Sequence, residues 1–151
     1  MPKALIVYAS LTGCTEEMAV YLEGLLQQKG VEVTRRHCLG GYPKEFLEYD
    51  ICVIGTYTYG AHGNLPDEME DFYYDLLQVD LSGKVYGVFG SGDPIYDYYC
   101  KSVDDFDKQL LKVNAHRAGE VVKFKLNAGE EDKKDMQRLA EDLVAGYREK
   151  E

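Results

Sequence analysis

Hydroxyl side chains gather around one glycine near the start of the chain, where residues 10–15 read Ser-Leu-Thr-Gly-Cys-Thr. An apolar run at 4–9 precedes them and an apolar stripe at helical spacing over 18–26 follows, so they should join a buried strand to the amino terminus of a helix. Free N–H groups at such a terminus bind phosphate, and hydroxyls add further donors. The segment contains no Lys or Arg. It predicts a site for one terminal phosphate held by neutral donors, although a lone threonine here could equally be a helix cap.

Two common nucleotide-binding motifs are missing. The triphosphate motif G-x-x-x-x-G-K-[ST] does not occur, and Gly-Ser-Gly at 90–92 is followed by Ile95 where a dinucleotide fingerprint has its third glycine. These observations favour a single phosphate over a triphosphate or a dinucleotide.

Two further segments are rich in tyrosine and glycine. Residues 55–63 read Gly-Thr-Tyr-Thr-Tyr-Gly-Ala-His-Gly, and residues 90–100 read Gly-Ser-Gly-Asp-Pro-Ile-Tyr-Asp-Tyr-Tyr-Cys. Three tyrosines within 96–99 are costly to expose without a use. Taken alone, the residues leave two interpretations open: a ligand site, or tyrosine-rich turns that pack on their own helices.

Apolar patterning predicts five strands. The runs at 4–9, 51–54 and 85–89 are nearly continuous, as in strands buried on both faces, whereas 31–35 and 121–126 alternate, as in strands at the edge of a sheet. Cys52, inside the third run, should be a small buried hydrophobe. Stripes at helical spacing predict helices between the strands, at about 18–26, 69–77, 103–113 and 136–147, with a short one at about 43–49.

Strands that alternate with helices imply a parallel sheet with helices on both faces, which is a three-layer α/β architecture. Edge positions for the second and fifth strands give a five-stranded sheet in the order 2-1-3-4-5. The whole chain, 1–151, is predicted to be one such domain. Ligands bind beyond the carboxyl ends of the strands, so the three segments described above should meet there.

On these motifs the chain resembles the flavodoxins. Ser-x-Thr-Gly-x-Thr after the first strand is similar to the flavodoxin loop that binds the FMN phosphate. By the same resemblance Tyr59 lies against the inner face of the flavin ring, Asp93 meets its polar edge and Tyr96 covers its outer face. The last strand, at about 120–127, runs without a long insertion and resembles that of the short-chain flavodoxins.

The resemblance implies a flavodoxin-like fold and a low-potential one-electron carrier, not an enzyme. Its non-covalent FMN would pass between oxidised, semiquinone and hydroquinone states. The Gly60 peptide would turn over on reduction so that its carbonyl meets flavin N5–H, which glycine allows because positive φ costs it little. Carboxylates at Glu68, Asp93 and Asp97 would oppose the second electron. The residues predicted to bind the cofactor are Ser10, Leu11, Thr12, Gly13, Cys14, Thr15, Thr56, Tyr57, Thr58, Tyr59, Gly60, Gly63, Ser91, Gly92, Asp93, Tyr96, Tyr98 and Cys100.

Negative charge is concentrated in one stretch. The formal net charge is −10, and residues 67–107 hold eleven acidic and two basic side chains. Such a balance disfavours nucleic acid and anionic membranes. The stretch is either an ordinary solvated surface or a docking face for basic partners. The resemblance implies an NADPH-dependent flavodoxin/ferredoxin reductase as donor, and a cytochrome P450, a desaturase or a similar protein as acceptor.

The remaining features predict a cytoplasmic monomer without a metal site. The four cysteines form no C-x-x-C pair, and the three histidines show no metal-ligand spacing. The apolar run in the first ten residues is too short to span a membrane, and no small-residue cleavage site follows it.

Other functions remain as alternatives. An FMN-dependent quinone reductase, or another reductase on this fold, would need substrate space over the flavin, where Tyr96 is predicted to lie. A signalling receiver domain would need paired acids where Ser10 and Thr12 stand and a further acid at Thr56. A phosphatase loop is excluded, because Val20 stands where arginine would be needed, six residues after Cys14. An acidic interaction module without a cofactor is the third alternative.

Overall fold

Six parallel strands form one sheet in the computed structural model, which describes residues 2–10, 13–58, 65–93, 99–125 and 129–149. The strands are β1 (Lys3–Tyr8), β2 (Glu32–His37), β3 (Ile51–Tyr57), β4 (Val85–Gly92), β5 (His116–Arg117) and β6 (Val122–Lys125). The helices are α1 (Cys14–Gln28), α2 (Glu70–Asp75), α3 (Lys101–Lys112) and α4 (Glu130–Glu149).

The strand order is β2-β1-β3-β4, with β5 and β6 both paired to the far side of β4. This confirms the predicted order and the edge position of the second strand. Every residue of β3 and β4 is buried, whereas β2 is partly exposed along its length. The difference follows from sequence, because continuous apolar runs can be covered on both faces, whereas β2 carries a polar side chain at every position except Val33.

The fifth position departs from the prediction of one continuous strand. Tyr86 of β4 pairs with Arg117, and Phe89 of β4 pairs with Val122. The edge chain therefore advances by five residues while β4 advances by three, and the two extra residues cannot be held in a regular ladder. The chain leaves the sheet between β5 and β6. The alternating pattern at 121–126 identified only the second part.

Helices cover both faces of the sheet, as predicted. Leu5 and Val7 of β1 belong to the core under α2 and α3, whereas Ala4 and Ile6 belong to the core under α1 and α4. This alternation is the two-residue period of a strand. Cys52 is fully buried in the first of these cores, as expected.

Two predicted helices are shorter or tighter than expected. The segment predicted at about 43–49 forms 3₁₀ turns over Pro43–Glu48. The segment predicted at about 69–77 is α2, with a 3₁₀ turn on either side at Asp67–Met69 and Leu76–Gln78. Short 3₁₀ turns of this kind can bury the apolar residues of the pattern without forming a long regular helix. By contrast, α4 begins six residues before the predicted start, because its first turns carry charged side chains that give no apolar signal.

A hydrogen-bonded group fixes β5 against α3. The hydroxyl of the fully buried Tyr86 donates to Asp107 Oδ1 at 2.5 Å, and Arg117 Nη2 donates to Asp107 Oδ2 at 2.6 Å. Burial and the Asp107 carboxylate raise the pKa of Tyr86. These side chains join β5 to α3. They matter because β5 has only two residues and so makes few backbone hydrogen bonds to the sheet.

We expect Tyr86→Phe to lower the free energy of unfolding by about 1–2 kcal/mol, because Asp107 loses one donor while retaining Arg117. Denaturant unfolding of the purified variant measures this change. An unchanged midpoint would mean that the Tyr86–Asp107 hydrogen bond adds nothing to stability.

None of the helices described is long and apolar enough to cross a membrane. All four cysteines are buried and none forms a disulfide.

Candidate cofactor site

The ends of β1, β3 and β4 meet at one edge of the sheet. The Ala9 N–H donates to the Gly55 carbonyl at 3.0 Å, and the Thr58 N–H donates to the Ser91 carbonyl at 3.0 Å. The three segments singled out in the sequence therefore begin side by side. This is the edge at which ligands bind in open parallel sheets.

The first loop leads into α1 through a left-handed residue. Gly13, at φ 91°, is the N-cap of α1, and its N–H donates to Ser10 Oγ at 3.0 Å. The backbone N–H groups that follow belong to the first turn of the helix, where no intrahelical acceptor exists for them. A left-handed N-cap suits glycine, which has no Cβ to clash with the backbone. The local structure is that of an anion site made from neutral donors.

The hydroxyls of Thr15, Thr56 and Ser91 lie beneath the loops and not on their surface. Thr15 Oγ1 donates to the Thr56 carbonyl at 3.3 Å and lies 3.0 Å from Ser91 Oγ. All three residues are at most 2% exposed. The Thr15 and Ser91 hydroxyls and the Thr56 carbonyl thus tie α1, β3 and β4 together under the site. The hydroxyl pattern alone does not distinguish this contribution from ligand binding.

The second loop is held at its base by a tyrosine. The hydroxyl of Tyr57 donates to Glu68 Oε1 at 2.6 Å, and Cys38 Sγ donates to the Glu68 carbonyl at 3.4 Å. Burial and Glu68 raise the pKa of Tyr57. Tyr57 and Glu68 lie on either side of the second loop, so their hydrogen bond joins its two ends.

The third loop approaches its own strand closely. A Cβ atom on Gly92 would lie 2.8 Å from the Cys100 backbone nitrogen and 2.9 Å from its Sγ. Cys100 is fully buried, has φ 52°, and directs its thiol toward the carbonyls of Gly90 and Phe124, each at 3.8 Å. Burial raises the pKa of this thiol to about 11. The Cys100 thiol is therefore neutral and buried at the end of the loop.

Several of the predicted site residues lie outside the described part of the chain, and their roles remain predictions. They are Leu11, Thr12, Tyr59, Gly60, Gly63, Tyr96 and Tyr98. Asp97, predicted to influence the potential, belongs with them, whereas Asp93 is described, half-buried, just after β4.

One residue at this edge was not predicted. Ser102, in the first turn of α3, is fully buried, and its hydroxyl donates to the Tyr57 carbonyl at 2.7 Å. A serine near a helix start is a common capping pattern, so its type and position carried no specific signal.

The described residues fit an FMN phosphate. The first-turn N–H groups of α1 and the Ser10 hydroxyl offer neutral donors, and the three loop sequences contain no lysine or arginine. Neutral N–H groups at a helix start suffice for such a group. Among the residues described, no cluster of three or more His, Cys, Asp or Glu side chains is placed to hold a metal ion.

Comparisons with known proteins agree with this geometry. The flavodoxin family model matches residues 6–139. A probable flavodoxin 2 from Bacillus subtilis (strain 168) is 40% identical over 123 residues, which is 81% of this chain and 78% of that protein. A solved flavodoxin of Streptococcus pneumonia TIGR4 superposes with a TM-score of 0.93 at 47% identity, over 95% of this chain and 99% of that one. Oxidised flavodoxin 2 from Bacillus cereus gives a TM-score of 0.91 at 37% identity, over 95% and 99%.

The strand order, the structure at the start of α1 and the family model that matches residues 6–139 all indicate the same family. The chain therefore belongs to the flavodoxin family, as a short-chain member, and is an FMN-binding electron carrier.

Proposed function

We propose that this chain carries single electrons at low potential and docks basic redox partners through the acidic surface around α2. That surface comprises Asp67, Glu68, Glu70, Asp71 and Asp75. The observation that carries the docking proposal is that, among the residues that the structure describes, no cation pairs with these carboxylates immediately after the second loop.

Eight of the eleven acidic residues in 67–107 fall into two groups. On α3, Asp104 pairs with Lys123, Asp105 with Lys101, and Asp107 with Arg117. Within the described ranges, none of the five α2-surface carboxylates has an ion pair. The excess negative charge of residues 67–107 is thus strongest beside the second loop. A field of this kind steers a basic partner toward one edge of the protein.

A groove beside α2 adds apolar surface to the charge. It encloses about 220 Å³ between the 3₁₀ segments and α2, with Glu68, Asp71 and Asp75 in its wall. Leu39 and Tyr42, also in its wall, are 74% and 68% exposed. Exposed apolar side chains next to acids suit a partner surface that combines basic and apolar groups.

Charge and burial also support a low potential. Bound flavin that gains a second electron becomes anionic, and carboxylates near it make that step less favourable. For a one-electron couple, about 1.4 kcal/mol corresponds to roughly 59 mV. Glu68 is held by Tyr57 at the base of the second loop, and Asp93 follows β4 at the same edge. These two carboxylates, with Asp97, are the proposed source of the shift.

The proposal also covers the cofactor, the oligomeric state, the cellular location and the redox partners. The cofactor is non-covalent and is held by the residues named above as predicted to bind it, with Tyr59 and Tyr96 on its two faces. The chain works as a cytoplasmic monomer of one domain. A reductase that uses NADPH is the proposed donor, and a cytochrome P450, a desaturase or a similar protein is the proposed acceptor.

Stepwise anaerobic reduction of the purified protein, followed by visible absorption, tests the carrier proposal. A long-wavelength band from one-electron-reduced flavin, which appears and then fades, is expected. Direct bleaching without that band would favour a two-electron reductase instead.

A charge variant tests the docking proposal. We expect Asp71→Asn with Asp75→Asn to slow electron transfer from a basic donor by about three- to tenfold at low salt, because steering by charge contributes on this scale. Stopped-flow kinetics over a range of ionic strength measures the effect.

The matched control is Asp135→Asn with Glu141→Gln on α4, which removes the same charge from the opposite face of the sheet. It should change the rate much less. Equal slowing by both pairs, or rates that do not depend on salt, would contradict docking at α2.

A further inference from the structure

The amino terminus of α3 is capped from another loop. Its N-cap residue, Cys100, makes no side-chain capping bond. Instead the Ser102 N–H donates to Thr58 Oγ1 at 3.0 Å. Thr58 lies 44 positions earlier, directly after β3. The helix that follows the third loop, α3, is thus capped by Thr58 of the second loop.

Thr58 and Ser102 form a reciprocal pair. The Ser102 hydroxyl donates to the Tyr57 carbonyl at 2.7 Å, so its single proton is used there. Its oxygen still accepts, and Thr58 Oγ1 lies 3.1 Å away. Thr58 therefore accepts from the Ser102 N–H and donates to the Ser102 hydroxyl. Ser102 is fully buried and Thr58 is half-buried, so water competes poorly for these bonds.

The pair joins the two loops that are proposed to enclose the flavin ring. Thr58 immediately precedes Tyr59, and Ser102 follows the third loop, which contains Tyr96. We infer that the Thr58–Ser102 pair fixes the spacing of these loops and so prepares the site for FMN, with Ser102 as a positioning residue. This inference rests on the proposed site assignment, and Ser102 itself lies beneath the loops.

The expected effect appears in affinity as well as in stability. If the pair orders the loops before FMN arrives, its loss adds an ordering cost to binding. A lost buried hydrogen bond of ordinary strength corresponds to a dissociation constant raised by about five- to tenfold. A purely structural bond would weaken the fold equally with and without FMN and leave the dissociation constant unchanged.

The test compares Ser102→Ala, Thr58→Val and the double variant. FMN is removed from each protein and titrated back, and the quenching of its fluorescence gives the dissociation constant. Thermal unfolding is measured in parallel. We expect each single variant to bind about five- to tenfold more weakly. The double variant should lose less than the product of the two single losses, because the bond between the Thr58 and Ser102 hydroxyls is lost in both.

Two further variants make the result specific. Thr58→Ser keeps the hydroxyl and should recover most of the affinity that Thr58→Val loses. Tyr86→Phe loses a buried hydroxyl near the amino end of β4, so it should lose stability without losing affinity.

Dissociation constants within twofold of the unaltered protein for Ser102→Ala and Thr58→Val would overturn the inference, as would additive losses in the double variant. If Ser102→Ala fails to fold, Thr58→Val and Thr58→Ser decide the question. The carrier proposal is judged separately, by stepwise reduction of the unaltered protein.

Discussion

The Gly92→Ala protein is expected to bind FMN more than about tenfold more weakly and to lose about 2–3 kcal/mol of folding stability. The added methyl would overlap the Cys100 backbone nitrogen and thiol. Backbone cannot rotate away as a side chain does, so β4 and the start of α3 must separate. That shift moves the third loop, which contains Asp93 and is predicted to cover the flavin. Fluorescence titration with FMN and denaturant unfolding measure the two effects.

The matched control for this variant is Gly24→Ala within α1. A Cβ atom there meets nothing within 4 Å. Alanine should stabilise the helix by about 0.5–1 kcal/mol and leave FMN binding unchanged. Unchanged affinity and stability in Gly92→Ala would show that β4 and α3 do not need this close approach.

The second large effect is a loss of stability at alkaline pH. Burial raises the pKa of the Cys38 and Cys52 thiols to about 12 and that of Cys100 to about 11, from an ordinary 9.0. The folded protein therefore keeps these protons after the unfolded chain has released them. Stability from this source is complete below pH 9 and is lost as the pH rises from 9 toward the folded values. Each thiol lowers the free energy of unfolding by about 1.4 kcal/mol per pH unit in that window.

Denaturant unfolding at pH 8, 9, 10 and 10.5 measures this slope. Cys52→Ala serves as the paired variant, because it removes one fully buried thiol and should reduce the slope by about 1.4 kcal/mol per pH unit above pH 9. Its lower stability at neutral pH, from the small cavity, is a constant offset. A free energy of unfolding that stays level from pH 8 to 10.5 would contradict the raised thiol pKa values.

The sheet could be predicted from sequence because its strands are strongly apolar. The run at 4–9 favours a strand buried on both faces, and every residue of β1 after Lys3 is buried. Polar elements gave less information. The two residues of β5 are both exposed and so carry no apolar pattern, and the first turns of α4 are charged. Their structure depends on tertiary contacts, such as Arg117 with Asp107.

The location of the site could be predicted from sequence, whereas the hydrogen bonds between its side chains could not. Hydroxyls and glycines after β1, β3 and β4 indicated which edge of the sheet to examine. They did not show that Thr15 and Ser91 would bond to each other beneath the loops. Ser102 was missed for the same reason. Its partners, Tyr57 and Thr58, are distant in sequence, and only the folded chain brings them within hydrogen-bond distance.

The break between β5 and β6 makes residues 119–121 a natural place to lengthen the chain. The register of β5 is fixed by Val85 and Tyr86, and that of β6 by residues 89–92, so each strand is held independently. Added residues between them would shift neither ladder. Doubling the length of such a connection costs only about 0.6 kcal/mol in closure entropy. A tag, a tether or a second binding segment could therefore be grafted here, at a point that has already left the sheet.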